Sequence, residues 1–241
     1  MALLSIITVV YNRKVDMQKT LASVIEQTFK DFEYIVIDAA STDGTKELLE
    51  AQRSHINTLV SEPDKGIYDA MNKGLRLAQG QFVTFMNAGD TFDNKYVLQQ
   101  IFSHLPSNTD AIYGDTLFVN EVGNSLGLMS EVRKRPLKKD CSWHDMKEGM
   151  LFCHQSFIIK KSLCSEYSLQ YPLSADIDWI ITGLKNCKKT FFFEESPIAH
   201  FQIGGASQQS HFASLTDRFY VLQKHFGFFA TLWSHFKIIF K

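Results

Sequence analysis

The regular alternation of strand and helix patterns in the first half of the chain is the feature that most constrains its fold. Residues 3–10 form a continuous apolar, β-branched run, which is typical of a strand buried on both faces of a parallel sheet. Further strands are predicted at residues 33–38, 57–61 and 81–86, with helix patterns between them. This alternation predicts βαβ units and an α/β fold whose mostly parallel, Rossmann-like sheet is flanked by helices.

Acidic side chains follow two of these strands. Asp38 ends the second strand, and Asp90 follows the fourth. Because the carboxyl ends of neighbouring parallel strands face one crevice, where ligands of open α/β sheets bind, we expect the two carboxylates to lie near one ligand. They suit a ligand that has hydroxyl groups and binds a metal ion, and a nucleotide-sugar meets both conditions.

The composition of the 241-residue chain argues against several other functions. Its formal net charge is −1, so it lacks the positive surplus that broad nucleic-acid binding requires. Its cysteines show no paired C-x-x-C spacing, which disfavours a zinc site and a disulfide framework. The amino terminus has no signal-peptide pattern, and no segment reaches about 18 uninterrupted apolar residues. These features predict a cytoplasmic protein.

The second half of the chain has a less regular pattern and is expected to complete the same site. Its predicted strands lie at residues 111–119, 124–129, 155–159 and 190–194, and its predicted helices at residues 175–185 and 207–224. No internal repeat, low-complexity tract or linker divides the chain. The pattern therefore predicts one domain with a distinct carboxyl-terminal tail.

Four motifs, in order along the chain, resemble those of the family 2 glycosyltransferases, which have the GT-A fold. They are SIITVVYN at residues 5–12, VIDAASTDGT at residues 36–45, SEPDKGIYDAMNKG at residues 61–74 and NAGD at residues 87–90. The match is dense over about the first 115 residues and thins to scattered motifs up to about residue 207. The resemblance implies transfer of a sugar from a nucleotide diphosphate donor to an acceptor hydroxyl, usually with inversion and with Mg²⁺ or Mn²⁺.

The same resemblance implies how the chain is divided and what it acts on. A GT-A-like domain is expected at residues 1–207, with a donor half at 1–115 and an acceptor half at 116–207. A helical, amphipathic extension is expected at residues 208–241. The implied reaction is metal-dependent, inverting transfer of a hexosyl or N-acetylhexosaminyl group, with a UDP-sugar as the favoured donor. The implied acceptor is a saccharide, which many bacterial relatives use in polyprenyl-linked form during polysaccharide or O-antigen assembly.

Donor binding is expected at the ends of the first strands. No glycine follows strand one, which disfavours a dinucleotide site and the phosphate loop of a sugar nucleotidyltransferase. A slot for the base, with Tyr11 as one wall and Asn12 beside it, suits the sequence better than Tyr11 packing beneath the sheet. Asp38 can accept a hydrogen bond from uracil or ribose, and its alternative role is a helix cap. The other donor-side residues implied by the resemblance are Asp64, Asp69, Asn72 and Asn87; acids in a first helical turn are equally consistent with dipole partners.

The metal site is expected where most of the family has Asp-x-Asp. Here Asn87 replaces the first acid, so Asp90 is the expected ligand of Mg²⁺ or Mn²⁺. Asn87 would supply a carbonyl oxygen or contact ribose, and a purely structural turn is the alternative. By resemblance, His200 would contact the metal or the diphosphate, and the glycine-rich residues 204–207 would close over the donor.

The catalytic base is expected in the second half of the chain. An inverting transfer needs a carboxylate that takes the acceptor proton, and Asp176 is the first candidate with Asp178 in reserve. The alternative is that both only cap the helix that follows. Acceptor binding is expected from His154 and Gln155, which precede a strand, and from Asp115, which could instead be a buried polar partner.

The tail from residue 219 is aromatic, apolar and basic. A helix of this kind can lie in a membrane interface, or it can pack on the domain or on a second subunit. The membrane alternative places the protein on the inner face of the cytoplasmic membrane. The rival to catalysis is a degenerate relative that only binds a sugar nucleotide or a partner. Asn87, and Ala175 in place of a common Glu, favour that rival.

Overall fold

The computed structural model describes the backbone of residues 2–204 and 211–239 and the side chains of residues 2–204 and 212–234. The strands are β1 (Leu4–Val10), β2 (Phe32–Asp38), β3 (Thr58–Ser61), β4 (Phe82–Phe85), β5 (Thr91–Phe92), β6 (Ala111–Gly114), β7 (Thr116–Val119), β8 (Ser125–Leu128), β9 (Phe157–Lys160), β10 (Thr190–Phe193) and β11 (Ala199–Gln202). The helices are α1 (Lys14–Ile25), α2 (Thr45–Ala51), α3 (Ile67–Leu77), α4 (Val97–Ser103), α5 (Met129–Val132), α6 (Ala175–Asn186), α7 (His211–Phe226) and α8 (Phe228–Ile239). Short 3₁₀ segments include Trp143–Glu148 and His154–Ser156.

The larger sheet has seven strands in the order β10-β6-β9-β4-β1-β2-β3. Neighbouring strands are parallel except at β9, which is antiparallel to both β4 and β6. The predicted α/β fold is therefore confirmed, with one reversed strand in an otherwise parallel sheet.

A smaller, four-stranded sheet has the order β5-β11-β7-β8. The single strand predicted at residues 111–119 is wrong, because β6 belongs to the larger sheet and β7 to the smaller one. Asp115 lies at the break, where its carboxylate accepts hydrogen bonds from the Thr116 N–H at 2.8 Å and from the Ser130 N–H at 3.3 Å. These bonds turn the chain between the sheets. The strands β5 and β11 were not predicted; β5 has only two residues.

Both faces of the larger sheet are covered by apolar side chains. Every residue of β1 is buried. Leu4, Ile6 and Val10 pack in the core on one face, and Ile7 and Val9 pack in the core on the other. The alternation follows from the period of two along a strand, and it confirms that β1 is buried on both sides.

The carboxyl edge of the larger sheet collects polar side chains from distant parts of the chain. The parallel strands β1, β2, β4 and β6 all end at this edge. The reversed strand β9 begins there, because Phe157 at its start is paired with Tyr113 near the end of β6. His154 and Gln155, just before β9, are therefore brought to the same edge as Tyr11 and Asn87.

The carboxyl-terminal region is helical, as predicted, but it consists of two helices. Gly227 separates α7 from α8 and has a φ of 84°, a left-handed conformation that glycine adopts readily. α7 contacts α6, and α8 contacts the 3₁₀ segment Trp143–Glu148. Within the described residues, no helix has the length and apolarity needed to cross a membrane. Residues 205–207 of the glycine-rich loop and the domain boundary predicted at 207/208 lie outside the described residues.

Candidate active site

A cavity of about 950 Å³ opens at the carboxyl edge of the larger sheet, which is a usual size for a small-molecule site. Seven of the residues selected from the sequence line it: Tyr11, Asp64, Asn87, Asp90, His154, Gln155 and Asp176. The other seven do not: Asn12, Asp38, Asp69, Asn72, Asp115, Asp178 and His200.

Tyr11 lines the cavity just after β1. Its side chain is 61% exposed, so its ring is accessible to a ligand. Asp64 and Gly66 also line the cavity, and the Asp64 carboxylate accepts a hydrogen bond of 2.8 Å from the Gly66 N–H as the chain enters α3. An exposed aromatic ring can stack on a planar base, and the contact of Tyr11 with the donor base stays a prediction.

Asp38 is completely buried and does not line the cavity. Its carboxylate accepts hydrogen bonds from the Ser61 hydroxyl at 2.7 Å and from the Ser41 N–H at 3.2 Å. Ser41 in turn accepts a 2.8 Å hydrogen bond from the Asn12 N–H. Asp38 therefore holds together the loops that carry Tyr11, and its predicted contact with the donor stays a prediction.

Asp69 and Asn72 also hold loops in place. The Asp69 carboxylate accepts a hydrogen bond of 3.0 Å from the Lys65 N–H at the start of α3. Asn72 is buried and makes two hydrogen bonds with the backbone of Tyr167, at 2.9 Å to its carbonyl and 2.7 Å from its N–H. Both side chains fix the wall of the cavity from behind it.

Asp90 lines the cavity and is only 5% exposed. Its carboxylate accepts hydrogen bonds from Gln155 Nε2 at 2.6 Å and from the Gln202 N–H at 3.1 Å. Burial raises the pKa of Asp90 to about 6, and the two hydrogen bonds oppose that rise. A cation that enters the cavity would therefore stabilise the ionised form of this carboxyl group.

A series of neighbouring polar side chains extends from Asn87 to the amino-terminal end of α6. Asn87 Nδ2 lies 3.1 Å from His154 Nε2, and His154 Nδ1 lies 3.8 Å from Asp176 Oδ2. The Tyr68 hydroxyl donates a 3.2 Å hydrogen bond to Asp176 Oδ1. Burial, followed by the nearby Asp176 charge, raises the pKa of Tyr68 well above its usual value, so Tyr68 stays a hydrogen-bond donor. Asp176 is thus the carboxylate of α6 that faces the cavity.

Asp178 points away from the cavity and binds α7. Its carboxylate accepts hydrogen bonds of 2.8 Å from Lys224 Nζ and 2.6 Å from His225 Nε2. Burial opposes its charge, but the bonds from His225 and Lys224 outweigh this effect and hold the pKa of Asp178 below its usual value. Asp178 therefore ties the carboxyl-terminal region to α6.

The oxygen donors near Asp90 fit a hard divalent cation. No group of three or more His, Cys, Asp or Glu side chains that could hold a metal occurs in the part of the chain that the structure describes. Asn87 Oδ1, however, is buried without a hydrogen-bond partner among the described residues, in the same cavity as the Asp90 carboxylate. One carboxylate and one free amide oxygen suit Mg²⁺ that keeps waters and binds substrate phosphates. His200 is not part of this set, because its Nε2 lies 2.9 Å from Asp93 Oδ1.

Tyr68, Arg133 and Arg218 line the cavity but were not selected from the sequence. Tyr68 belongs to the motif at residues 61–74, and Arg133 begins a basic stretch at residues 133–139, so both had a local signal. Arg218 is one arginine within a long helix, and only the packing of α7 brings it to the site.

The fold is that of solved glycosyltransferases of the GT-A type. Residues 1–349 of TarS from S. aureus align with a TM-score of 0.71 and 17% identity, over 98% of this chain and 72% of that chain. Glucosyl-3-phosphoglycerate synthase from Mycobacterium tuberculosis, solved with Mn²⁺ and UDP, aligns with a TM-score of 0.61 and 13% identity, over 92% of this chain and 78% of that chain. At these identities the likeness establishes the fold.

The sequence establishes the family. The glycosyl transferase family 2 profile matches residues 5–168, which is more than half of the chain, and the chain belongs to that family. A PGL/p-HBAD biosynthesis glycosyltransferase of Mycobacterium bovis is 28% identical over 195 residues, which are 76% of this chain and 70% of the relative. The UDP-Glc:alpha-D-GlcNAc-diphosphoundecaprenol beta-1,3-glucosyltransferase WfgD of Escherichia coli is 33% identical over 119 residues, 49% of this chain and 47% of the relative.

Proposed function

We propose that this protein is an inverting glycosyltransferase that moves a hexosyl or N-acetylhexosaminyl group from a UDP-sugar to a hydroxyl of a lipid-linked saccharide. The observation that carries the proposal is that Asp176, Asp90 and Tyr11 line one cavity. One carboxylate can serve the acceptor and the other the donor, as direct displacement at the anomeric carbon requires.

Asp176 has the surroundings of a general base. Tyr68 and His154 fix its orientation from two sides, and its side chain is 20% exposed, so an acceptor hydroxyl can reach it. As the acceptor oxygen bonds to the anomeric carbon, its proton passes to Asp176, and the bond from that carbon to the diphosphate oxygen breaks. The diphosphate leaves with the bonding electrons on the face opposite the attack.

The donor half would hold the leaving group. Tyr11 would stack on the base, while Asp90 and the Asn87 amide oxygen would hold Mg²⁺ or Mn²⁺. When bound, such an ion supplies Lewis-acid neutralisation of the departing diphosphate. Support for this arrangement comes from neighbours of the same fold that were solved with Mn²⁺ and a uridine or guanosine nucleotide.

The proposed acceptor is lipid-linked, so the enzyme would work at a membrane surface. WfgD, by its name, acts on a diphosphoundecaprenol-linked sugar. On α8 of this chain, Phe229 is 84% exposed, and Leu232 and Trp233 on the same helical face are 50% and 62% exposed. An exposed aromatic face of this kind inserts readily into the interface of a bilayer. The alternative, a second copy of the chain on this face, would appear as a dimer in analytical ultracentrifugation.

The proposed function is tested by donor hydrolysis across UDP- and GDP-sugars with Mg²⁺, Mn²⁺ or EDTA. The variants are Asp90→Ala, Asp176→Asn and Asp178→Asn. We expect metal-dependent release of a nucleoside diphosphate that Asp90→Ala abolishes and that Asp176→Asn slows by roughly 10²–10⁴-fold. Asp178→Asn is the matched neighbour on the same helix and should retain the activity, because its side chain binds α7 instead of lining the cavity.

Two results would contradict the proposal. If Asp178→Asn loses activity and Asp176→Asn keeps it, Asp176 is not the base. If the wild type binds a nucleotide-sugar but neither hydrolyses nor transfers it with any acceptor, the non-catalytic function favoured by Asn87 is correct.

A further inference from the structure

Two arginines line the cavity and have no carboxylate partner among the described residues. Arg218 projects from α7, and its Nε is buried without a hydrogen-bond partner among the described residues. Arg133 directly follows α5, and its Nη1 donates a 3.3 Å hydrogen bond to the Met150 carbonyl. The ion pairs of the described residues include neither arginine. The stretches outside the described residues contain no acidic side chain.

A third arginine adds positive charge behind these two. Arg135 donates hydrogen bonds to the backbone carbonyls of Glu148 at 3.0 Å and Asp145 at 3.2 Å, so it is fixed in the wall. Burial, and then the charge of Arg133, lower the pKa of Arg218. Desolvated like charges repel one another and cost stability unless an anion compensates them. The positive charges of Arg133, Arg135 and Arg218 therefore favour binding of an anion in this part of the cavity.

The Arg218 guanidinium packs against the backbone of Gly149. Gly149 has a φ of 97°, and a Cβ at this position would lie 2.5 Å from Arg218 Nη2 and 3.1 Å from Arg218 Cζ. Only glycine leaves room for the planar guanidinium to lie against the backbone here. A planar, fixed guanidinium is the side chain best suited to two-pronged recognition of a phosphate.

The anion belongs to the acceptor side of the site. Arg218 and Asp176, the proposed base, line the same cavity. Asp217, which precedes Arg218 on α7, accepts a 2.8 Å hydrogen bond from the Leu173 N–H, three residues before Asp176. Arg218 therefore lies beside the amino-terminal end of α6, where the acceptor must approach the proposed base. We propose that Arg133 and Arg218 bind a phosphate group of the acceptor substrate, a proposal that rests on the function proposed above.

The probe for this site is farnesyl diphosphate, compared with farnesol and with inorganic pyrophosphate. Binding to the full chain is measured calorimetrically in the presence of saturating UDP and Mg²⁺. We expect the wild type to bind farnesyl diphosphate at least about tenfold more tightly than farnesol. Arg133→Gln and Arg218→Gln should each weaken that binding at least about tenfold, because each removes charge-assisted hydrogen bonds. UDP binding should change less than twofold in both variants.

Two further variants separate charge from folding. Arg218→Lys keeps the positive charge but lacks the planar pair of N–H donors of a guanidinium. It should give an intermediate affinity for farnesyl diphosphate. Arg76→Gln is the matched control, because Arg76 is exposed, pairs with Glu166 at 2.9 Å and does not line the cavity. Gly149→Ala keeps every charge but displaces Arg218, and it should also weaken binding of farnesyl diphosphate. Melting temperatures identify any variant that fails to fold.

Each possible result of these binding measurements leads to a different conclusion. Equal binding of farnesol and farnesyl diphosphate by the wild type overturns the anion site. A parallel loss of UDP binding in Arg133→Gln and Arg218→Gln assigns the arginines to the donor diphosphate and overturns the acceptor assignment. If Arg76→Gln weakens binding of farnesyl diphosphate equally, the effect reflects the overall charge of the protein and overturns the assignment to Arg133 and Arg218. A wild type that binds farnesyl diphosphate but no nucleotide-sugar refutes the transferase and leaves the anion site standing. Tight binding of pyrophosphate supports recognition of the phosphates themselves.

Discussion

Asp90→Asn is expected to stabilise the ligand-free protein while it abolishes metal-dependent activity. The wild-type carboxylate has a pKa of about 6 in the folded protein and an ordinary value of 3.8. Such a rise corresponds to about 3 kcal/mol of lost folding free energy once the group is ionised in both states. Asparagine carries no charge, so it escapes this penalty. Gln155 Nε2 faces this side chain in the wild type, and a half-turn of the Gln155 amide lets the new Nδ2 donate to Gln155 Oε1, which is buried without a partner among the described residues.

The sign of the pH dependence follows from the raised pKa. Well below pH 3.8 the carboxyl is protonated in both states, and its contribution to stability is intact. As the pH rises from 3.8 through 6 the unfolded state ionises first while the folded state keeps its proton, so that stability is lost progressively. The advantage of Asp90→Asn should therefore reach about 1–3 kcal/mol at pH 8 and fall to about half of that at pH 5.

The assay is urea unfolding in EDTA, followed by circular dichroism at pH 5 and pH 8. Asp110→Asn is the control. Burial opposes the charge of Asp110, but a 2.9 Å bond to Lys160 outweighs it and holds its pKa below the usual value. That variant should be less stable than the wild type at both pH values. The reasoning is refuted if Asp90→Asn is less stable than the wild type at pH 8, or if its advantage does not change between pH 5 and pH 8.

Three further outcomes are expected. Asp178→Ala should lower the free energy of unfolding by about 3 kcal/mol in urea titrations, because it leaves buried His225 without its acceptor; unchanged stability would show that this contact does not anchor α7. Tyr68→Phe should reduce kcat about tenfold with unchanged donor binding, since it removes a hydrogen bond to the proposed base; full activity would remove Tyr68 from the mechanism. Phe229→Asp should abolish co-sedimentation with anionic vesicles, whereas Val122→Asp, at a side chain 80% exposed elsewhere, should not.

The strand-end rule explains what the sequence could predict. Tyr11 follows a parallel strand, and its position in the cavity was predicted from that pattern, whereas Asn87 was selected by the family resemblance. The same rule selects Asp38, but the loop after β2 folds back and its Ser41 N–H occupies the carboxylate. Whether a strand-end acid faces the ligand or its own loop depends on hydrogen bonds that a strand pattern does not encode.

The remainder of the site depends on packing between distant segments. Asp176 and Asp178 have the same local pattern, and only the position of α7 decides that Asp178 meets His225 while Asp176 faces the cavity. Arg218 reaches the site because Gly149 makes room for it, a contact across 69 positions of sequence. Pairings over such distances have no periodic signal within one segment.

The reversed strand β9 also sets the order in which this protein can be assembled. β4 pairs with β1 on one side, but its other neighbour is β9, which is synthesised more than 70 residues later. Until residues 157–160 emerge, a nascent chain presents β4 as an open edge, which is prone to pair with other chains. Because His154 lies shortly before β9, the strand that completes the sheet also brings a residue of the candidate active site into place. A fragment restricted to residues 1–115 would therefore be both inactive and prone to aggregate.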